Sequence, residues 1–481
     1  MGGDEPFDST HAERELERMN AQPVQVRWAA PSGEQLTLML PSTVYPPRED
    51  TDLLLSALSR QLVNSKTIWL EIGCGSGVLS WWAAKQGCTV SACDVNPLAV
   101  ACTRALLSEH GLVGNVFEGG PGPSVDGGLS QWGGDRLYDV VVWNMPYLSS
   151  DVLVRGALGP MEEAALTDTD ASGLLSRFLT LLQDGRLLTK SGVAFLTVSS
   201  NGIGNEAEAI AWSHGLAGRT VATRTFDDGE TLSVLAVWKP YSNASIERVE
   251  STLSTNDDVM NRGGAEGDTV LAAEQEGGRG RLGRRWETQP GAMMASWLTS
   301  QGRPVSHRTL DQLRVGDGLV RLMRVLSPLR QDAAFLKWPN DLYILRAEGR
   351  LSKAGGVLFE ATTQGTNTRT VLGIGLNTTV HQNSPWSGVQ DLGIDLGAAS
   401  LHRLLHAMVA SLFEDVPGLA SAMVSLPRLE ASVLEGASQF SRLVYRGDET
   451  TILGLTESGA VLMDGVDQAV DDPEDIEWSI V

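Results

Sequence analysis

Positive charge is concentrated in one glycine-rich stretch, GGRGRLGRRW, which occupies residues 277–286 and contains four arginines. Two lysines follow it, in KWPND at 337–341 and in KAGGVLFE at 353–360. Cationic side chains beside a closely approaching glycine backbone suit the binding of an anionic nucleotide and the neutralisation of a reacting phosphate. No P-loop pattern is present, which excludes an ordinary kinase or ATPase. The alternatives for this stretch are an arginine–glycine contact with RNA and a solvated loop.

A second set of residues that can do chemistry lies in the first half of the chain. EIGCGSG follows an apolar run, and its glycines Gly73, Gly75 and Gly77 allow a sharp turn and a close approach to a ligand. Asp94 ends the next apolar run, where a carboxylate accepts hydrogen bonds from ribose hydroxyls. Together they predict a site for a dinucleotide or for S-adenosylmethionine; the alternative is a tight turn without a ligand.

The stretch NMPY, Asn144 to Tyr147, ends a further apolar run. An asparagine carboxamide oxygen and a neighbouring backbone carbonyl both accept from an –NH₂ group, and a flat tyrosine packs over a planar one. These residues therefore predict a site that aligns an amide or exocyclic amine toward a methyl donor. The alternative is a strand-end turn capped by asparagine.

The elements that must position these residues are strands and helices in alternation. Within 67–240, five β-rich runs are predicted as strands, and a helix is expected from Asn96-Pro97 to Gly111, because asparagine caps and proline starts helices. Such alternation predicts a parallel sheet covered on both faces. The predicted strands are TIWLEIG, CTVSACD, YDVVVWN, GVAFLTVS and ETLSVLAVWK.

The second half of the chain has a different order of predicted strands and helices. Predicted strands cluster around one helix near 310–326, which indicates an α+β fold, and helical segments follow to about residue 433. The tail from 441 has short strands broken by glycine turns and predicts a small β-barrel. The strands are expected near 269–275, 292–298, 333–346 and 356–377.

Composition bounds the class of protein. The 481 residues carry a formal net charge of −22, which argues against a general nucleic-acid binder, since phosphate contacts need an extended basic surface. Four cysteines, all within one short region, match neither a zinc site nor a disulfide framework. No signal peptide, transit peptide or bilayer-spanning run is recognised. We expect a soluble, cytoplasmic protein that binds neither membrane nor DNA directly and has no metal site of its own.

Residues 43–239 resemble the HemK-type glutamine methyltransferases, in particular their eukaryotic and archaeal branch. TVYPPREDTDLLLSAL, LEIGCGSG, CDVNPLAVACT, NMPY and ETLSVL are similar to that family's motifs in order. The resemblance implies a Rossmann-like class I methyltransferase fold that methylates a glutamine of a class 1 peptide chain release factor. It implies that Asn144 and Tyr147 hold the substrate amide. The residues implied to contact S-adenosylmethionine are Thr51, Glu71, Gly73, Gly75, Gly77, Asp94 and Asn144.

Two positions depart from the methyltransferase pattern. Met145 stands where the family has the first proline of NPPY, which keeps the carbonyl but loosens the rigid turn. An acid for the adenine is usual after the third strand, and Glu118 is the candidate for it here. Relatives in eukaryotes use a small zinc-binding activator protein, which is therefore a candidate partner.

Residues from about 251 to the C-terminus resemble biotin protein ligases, on the strength of AAEQ, GRGRLGRRW, KWPND, KAGG and GIGLN in that order. The resemblance implies a catalytic domain similar to class II aminoacyl-tRNA synthetases. Such a ligase condenses biotin and ATP, with Mg²⁺, to biotinyl-5′-AMP, which a lysine of a biotin carboxyl carrier domain then attacks.

The same resemblance implies the roles of individual residues. Lys337, Arg279 and Arg281 are catalytic, with Lys337 between the biotin carboxylate and the α-phosphate. Ser254, Thr255 and Gln275 face the biotin ureido ring, whereas Trp286, Asn340 and Lys353 border the nucleotide. The implied biotin and ATP site comprises Ser254, Thr255, Asn256, Gln275, Gly278, Arg279, Gly280, Arg281, Trp286, Lys337, Asn340, Lys353, Gly356 and Asn377.

The sequence thus predicts a fusion of two enzymes. One alternative is an active ligase with a methyltransferase-like module that only binds; another is a nucleic-acid adenine N6-methyltransferase fused to the ligase. The expected organisation is an N-terminal extension at 1–42, a methyltransferase at 43–240, a linker at 241–250, a ligase catalytic domain at 251–435 and a barrel at 436–481.

Overall fold

The chain divides into two compact units. The first comprises Met1–Lys239 with Asp415–Ser421, and the second comprises Pro240–Glu414 with Ala422–Val481. None of the helices among the described residues is both long and apolar enough to cross a membrane. The computed structural model describes residues 22–60, 63–121, 129–134, 136–146, 148–149, 167–168, 173–280, 284–286, 289–301, 308–328, 330–365, 367–381 and 383–480.

A seven-stranded sheet organises the first unit, in the order β10-β11-β9-β6-β3-β4-β5. All five predicted strands are present, and the sheet from β5 to β9 is parallel, as expected for an α/β fold. The strands are β3 (Ile68–Ile72), β4 (Thr89–Asp94), β5 (Gly114–Glu118), β6 (Tyr138–Trp143), β9 (Leu188–Ser199), β10 (Ala217–Thr225) and β11 (Thr231–Trp238).

The expectation of a wholly parallel sheet is wrong at one edge. β11 runs antiparallel to both β9 and β10, because a short hairpin turn joins β10 to β11 and a tight hairpin can join only antiparallel strands. A separate hairpin precedes the sheet and lies within the predicted N-terminal extension. It consists of β1 (Val24–Ala29) and β2 (Gln35–Leu40), and the short strands β7 (Leu148–Ser149) and β8 (Thr167–Asp168) form another pair.

The predicted capped helix is α3. Asn96 accepts a hydrogen bond from the Leu98 backbone N–H at 2.9 Å, and Pro97 occupies the first helical position. The core of this unit lies between the sheet and α5, where Val141 and Leu196 pack with Phe178. The helices are α1 (Glu49–Leu58), α2 (Val78–Lys85), α3 (Pro97–Glu109), α4 (Leu129–Trp132), α5 (Leu174–Gln183) and α6 (Ala207–Ser213).

The second unit also contains a seven-stranded sheet, in the order β12-β13-β14-β18-β17-β16-β15. Every neighbouring pair is antiparallel except β12 with β13, which agrees with the predicted α+β class. The strands are β12 (Ile246–Thr252), β13 (Thr269–Gln275), β14 (Met293–Gln301), β15 (Ala334–Lys337), β16 (Asp341–Leu345), β17 (Leu351–Gln364) and β18 (Asn367–Leu376).

Three expectations for this unit need correction. The run 333–346 is two strands, because Trp338-Pro339-Asn340 interrupts it and proline has no N–H for the ladder. The run 356–377 is likewise a hairpin of β17 and β18. The predicted linker 241–250 contains the start of β12. The hydrophobic pattern of the sequence did not identify this strand, because it lies at the edge of the sheet and its residues are mostly exposed.

Among the described residues, four helices cover the sheet, and small sheets form the tail. The helices are α7 (Thr255–Arg262), α8 (Arg308–Leu326), α9 (Ala398–Phe413) and α10 (Leu426–Ala437). In the tail, the described residues form one three-stranded and one two-stranded sheet, and a closed barrel stays a prediction. The tail strands are β19 (Arg442–Tyr445), β20 (Asp448–Thr450), β21 (Ile452–Leu455), β22 (Val461–Met463) and β23 (Ile476–Ser479).

Candidate active sites

A cavity of about 350 Å³, called here the first cavity, opens at the carboxyl ends of β3, β4 and β6. Parallel strands end at one edge of a sheet, which brings together polar residues that are distant in sequence. Gly73 and Gly75 line the cavity with positive φ angles of 66° and 47°, so the turn after β3 uses glycine for its conformation. The predicted residues that line it are Thr51, Glu71, Gly73, Gly75, Asp94 and Asn144.

Asp94 holds the glycine turn and the next helix start together. Its Oδ2 accepts from the Gly75 backbone N–H and its Oδ1 from that of Asn96, both at 2.8 Å. Burial raises the pKa of this carboxyl despite those bonds. Each carboxylate oxygen retains a further lone pair on the cavity side, which suits the two hydroxyls of a ribose.

Glu71 is more deeply buried, with 3% of its surface exposed. Ser80 Oγ donates a hydrogen bond to its Oε2, and burial raises the pKa of the carboxyl to about 8. Thr51, also buried, donates its backbone N–H to Asp50 Oδ1 at 2.6 Å. The floor and wall of the first cavity therefore carry several acidic groups, and a cationic ligand there would favour their charged forms.

Asn144 follows the last residue of β6. Its Oδ1 is buried and has no hydrogen-bond partner among the described residues, although it lines the first cavity. A buried acceptor without a partner is costly, which indicates a donor supplied by a ligand. The neighbouring Met145 is 2% exposed and belongs to the hydrophobic core, so it occupies its position as a packed side chain. Tyr147 lies outside the described residues.

Two predicted residues of this half do not line the first cavity. Gly77 has φ 81°, and a Cβ there would lie 2.8 Å from Thr103 Cα, so glycine lets the turn pack against α3. Glu118 is exposed and pairs with Asp94 across the β4–β5 ladder. Among the lining residues that the structure adds are Tyr45, inside a stretch already singled out, and Arg177, which no sequence signal marked.

A cavity of about 470 Å³, called here the second cavity, lies in the second unit. Gly278 is not among its lining residues; its carbonyl accepts the Trp286 N–H at 2.8 Å and so joins the two described ends of the arginine stretch. Arg281 lies outside the described residues. The predicted residues that line it are Ser254, Thr255, Asn256, Gln275, Arg279, Gly280, Trp286, Lys337, Asn340, Lys353, Gly356 and Asn377.

One end of the second cavity is a polar cluster at the start of α7. Thr255 donates its backbone N–H to Gln275 Oε1 at 2.8 Å. Ser296 Oγ, fully buried, lies 2.7 Å from Thr255 Oγ1 and 2.6 Å from Asn256 Oδ1. These bonds fix the side chains before any ligand arrives, as a site that reads donor and acceptor positions requires.

Arg279 is held by two carboxylates. It forms a bidentate pair with Asp257, at 2.7 and 2.6 Å, and its Nη2 lies 3.3 Å from both Glu360 oxygens. The Asp257 side chain raises the pKa of this guanidinium and has its own pKa lowered in return. Arg284, at the other side of the stretch, is paired with Glu474 near the C-terminus.

The two predicted lysines have different surroundings. Lys353 Nζ lies 2.7 Å from Asp341 Oδ1 and 5.5 Å from the centre of the Trp286 ring. Lys337, at the end of β15, faces the rings of Tyr343 and Trp478, and burial lowers its pKa.

The part of the second cavity around Trp286 keeps unsatisfied polar atoms. Trp286 Nε1 and Asn377 Oδ1 are both buried and have no partner within the part of the chain that the structure describes. Trp286 packs on Gly375, where a Cβ would come within 2.8 Å of the ring. Asn340, by contrast, donates its Nδ2 to the Val357 carbonyl at 2.8 Å and thereby braces the KWPND turn. A planar polar ligand fits these free atoms.

Several candidate functional residues of the second cavity were not predicted from the sequence. Asp257 directly follows the predicted residues Ser254 to Asn256, Asp341 ends KWPND and Glu360 ends KAGGVLFE, so an expectation of counter-charges for the cations would have found all three. Glu474 and Trp478 carried no signal, because their contacts join residues about 140 to 190 positions apart.

Comparisons with known proteins match both halves. Residues 48–164 match the family model "Methyltransferase small domain", and residues 245–377 match "Biotin/lipoate A/B protein ligase family". Human methyltransferase HEMK2 is 32% identical over 209 residues, 41% of this chain and 91% of that protein. Ribosomal RNA small subunit methyltransferase C of Salmonella paratyphi B is 31% identical over 158 residues, 29% of this chain and 42% of that protein.

The ligase half is similar to the bifunctional ligase/repressor BirA of Escherichia coli. The identity is 34% over 193 residues, 37% of this chain and 56% of that protein, so the chain spans about half the length of the BirA relatives that it matches. The near-complete coverage of HEMK2 and the two matched domains agree with the two cavities. The chain therefore belongs to the methyltransferase family that includes HEMK2 and carries a biotin/lipoate A/B protein ligase domain in the same polypeptide.

Proposed function

We propose that the second unit attaches biotin to a lysine of the biotin carboxyl carrier domain of a carboxylase, at the expense of ATP. The observation that carries the proposal is the meeting of Lys337, Lys353 and Arg279 with a prearranged polar cluster in one cavity. An oxygen of the biotin carboxylate attacks the α-phosphorus of ATP, and pyrophosphate leaves. The carrier lysine then attacks the carbonyl carbon of biotinyl-5′-AMP, and AMP leaves.

The residues divide this work by position. Ser254, Thr255 and Gln275 face the ureido ring, which presents donors and acceptors in a fixed plane. Lys337 stabilises the negative charge that develops between carboxylate and phosphate, a contribution that preorganised charges make at little cost during reaction. Mg²⁺ would offset the charge of the triphosphate. We assign it no protein ligand, because the lining carboxylates Asp341, Glu360 and Glu474 each contact a cationic side chain.

Intact-mass measurement of a carrier domain, incubated with the full chain, biotin and ATP, tests this proposal. We expect one added biotinyl group, which disappears when the acceptor lysine of the carrier is replaced by arginine. An unmodified carrier, with a known ligase active on the same sample, would contradict it.

We further propose that the first unit methylates the side-chain amide of a glutamine in a class 1 release factor, with S-adenosylmethionine as methyl donor. The observation that carries this proposal is the buried, unpartnered Asn144 Oδ1 beside the donor-binding turn. It accepts an N–H of the substrate amide and thereby aims the nitrogen into the cavity. Asp94 holds the ribose and Glu71 lies on the same cavity wall.

Two other functions remain in competition. Similarity to a ribosomal RNA methyltransferase favours an adenine or guanine amine as the acceptor, whereas the net charge of −22 disfavours a nucleic-acid substrate. The second competing function is a module that binds the methyl donor without turnover. It is suggested by Met145, which replaces the first proline of the family's NPPY motif.

Incubation with the methyl donor, a release factor and an oligonucleotide in competition distinguishes the three functions. Methyl transfer to the release-factor glutamine supports the proposal, and transfer to the oligonucleotide replaces it. Calorimetric donor binding without any transfer indicates the binding module. The assay is run with and without a small zinc-binding activator protein, since relatives need one.

A further inference from the structure

Lys337 differs from other cations of the second cavity in what surrounds it. Arg279 lies against Asp257 and Glu360, and Lys353 lies against Asp341. Lys337 has no ion-pair partner among the residues that the structure describes. Its Nζ instead lies 5.3 Å from the centre of the Trp478 ring and 5.8 Å from that of Tyr343.

Strand register and packing fix these rings. Lys337 pairs with Asp341 across the β15–β16 ladder, so Tyr343, two residues further on, projects from the same face of the sheet. Trp478 comes from β23, at the end of the chain. Phe440 contacts both rings edge-on, at 5.4 Å from Tyr343 and 4.8 Å from Trp478. The aromatic cluster of Tyr343, Phe440 and Trp478 therefore has little freedom to move.

An aromatic face attracts a cation without adding a negative charge. A carboxylate at the same place would offset the charge of Lys337 and weaken its effect on an anionic ligand. The cluster therefore orders a flexible lysine side chain and adds no negative charge to its surroundings. The cost of burying the ammonium is offset in part by the two ring faces.

We propose that Trp478 is a positioning residue of the ligase, which together with Tyr343 holds the Lys337 ammonium over the second cavity as an unpaired charge. The inference rests on the proposed ligase function. Trp478 Nε1 is also buried without a partner among the described residues, so the indole offers a second possible role as a hydrogen-bond donor to the ligand. The ring and the N–H are separable by substitution.

The test compares Trp478→Leu with Trp478→Phe in the full chain, by the rate of pyrophosphate release with biotin and ATP. We expect Trp478→Leu to lower kcat about tenfold, the size of a desolvated cation–π contact, with KM for biotin within about twofold of the original. Trp478→Phe keeps a ring face and retains most of kcat. In a Lys337→Gln background, whose residual rate is measured over longer times, Trp478→Leu has no further effect because its target is gone.

Three results would overturn the inference: an unchanged kcat in Trp478→Leu, an equal loss in Trp478→Phe, or a full additional loss in the Lys337→Gln background. The second would assign the role to the indole N–H. If thermal melting shows that Trp478→Leu is not folded, a comparison of Tyr343→Leu with Tyr343→Phe tests the same contribution of an aromatic face through the other ring. Absence of pyrophosphate release by the unmodified chain contradicts the proposed ligase function, which distinguishes the two failures.

Discussion

Lys353 and Asp341 form an ion pair, 2.7 Å from Nζ to Oδ1, in a space that is open because the facing residue is a glycine. Gly356 pairs with Asp341 in the β16–β17 ladder, and a Cβ there would lie 2.9 Å from the same Oδ1 and 3.6 Å from Lys353 Nζ. The glycine of KAGG thus makes room for the pair, as well as for the close backbone approach expected from sequence. Cation placement in the second cavity depends on small residues as much as on charged ones.

Gly356→Ala should therefore disturb the ion pair. The added methyl group must displace Asp341 or the strand, and overpacking of this kind costs about 1–3 kcal/mol. We expect biotinyl-AMP synthesis to fall about tenfold, measured by pyrophosphate release. Gly397→Ala is the matched control, since no atom lies within 4 Å of a Cβ at that position. Equal activity of the two variants would show that the pair tolerates the methyl group.

Lys337→Ala should block formation of biotinyl-AMP. The lysine ends a strand and lines the cavity, so we expect it to stabilise charge in the transition state, and its loss should cost on the order of a hundredfold in rate. Arg281→Ala should instead retain synthesis and release biotinyl-AMP into solution, because we expect the glycine-rich stretch that contains Arg281 to retain the product rather than to form it. Chromatography of free and bound biotinyl-AMP separates the two outcomes. If Arg281→Ala stopped synthesis as completely, the stretch would belong to the catalytic centre.

Asn144→Ala should abolish methyl transfer and leave donor binding within about twofold. The buried Oδ1 has no partner in the described structure, so its removal deprives the substrate amide of an acceptor and takes nothing from Asp94 or the glycine turn. Calorimetry with S-adenosylmethionine and a methylation assay with a release factor measure the two effects. Asp94→Ala is the comparison variant and should lose donor affinity. Equal loss of donor affinity in both variants would place Asn144 in the donor site.

Glu71 should make the stability of the first unit pH-dependent. Burial raises its folded pKa to about 8, above the ordinary value near 4.3, so its protonated form favours the fold. This contribution is complete below about pH 4.3 and is lost as pH rises toward 8. Between pH 5 and 8, without the donor, the unfolding free energy should fall relative to Glu71→Gln by up to roughly 1.4 kcal/mol per pH unit. Urea denaturation of both proteins across this range measures the difference, and a rise with pH would be the wrong sign.

Local patterns in the sequence determined much of the first unit. The strand before EIGCGSG, the capped helix at Asn96-Pro97 and Asp94 at a strand end are all encoded within a few residues. The resemblance to the HemK-type methyltransferases also implied a donor site that includes Glu71, Asp94 and Asn144, and parallel strands bring these residues to one carboxyl edge of the sheet. The strand β12 was not predictable in this way, because a mostly exposed edge strand lacks the apolar pattern that identifies strands.

Only the tertiary structure decided how the cations of the second cavity are partnered. The sequence identified the arginine stretch and both lysines by their types and order, yet it contained nothing that assigns a carboxylate or a ring to each. Arg284 meets Glu474 and Lys337 meets Trp478 across 190 and 141 residues, since the tail folds back onto the sheet. Charge and spacing along a chain specify what a site can bind. How strongly each charged side chain acts on a ligand, and where it points, follow from neighbours that only folding brings within reach.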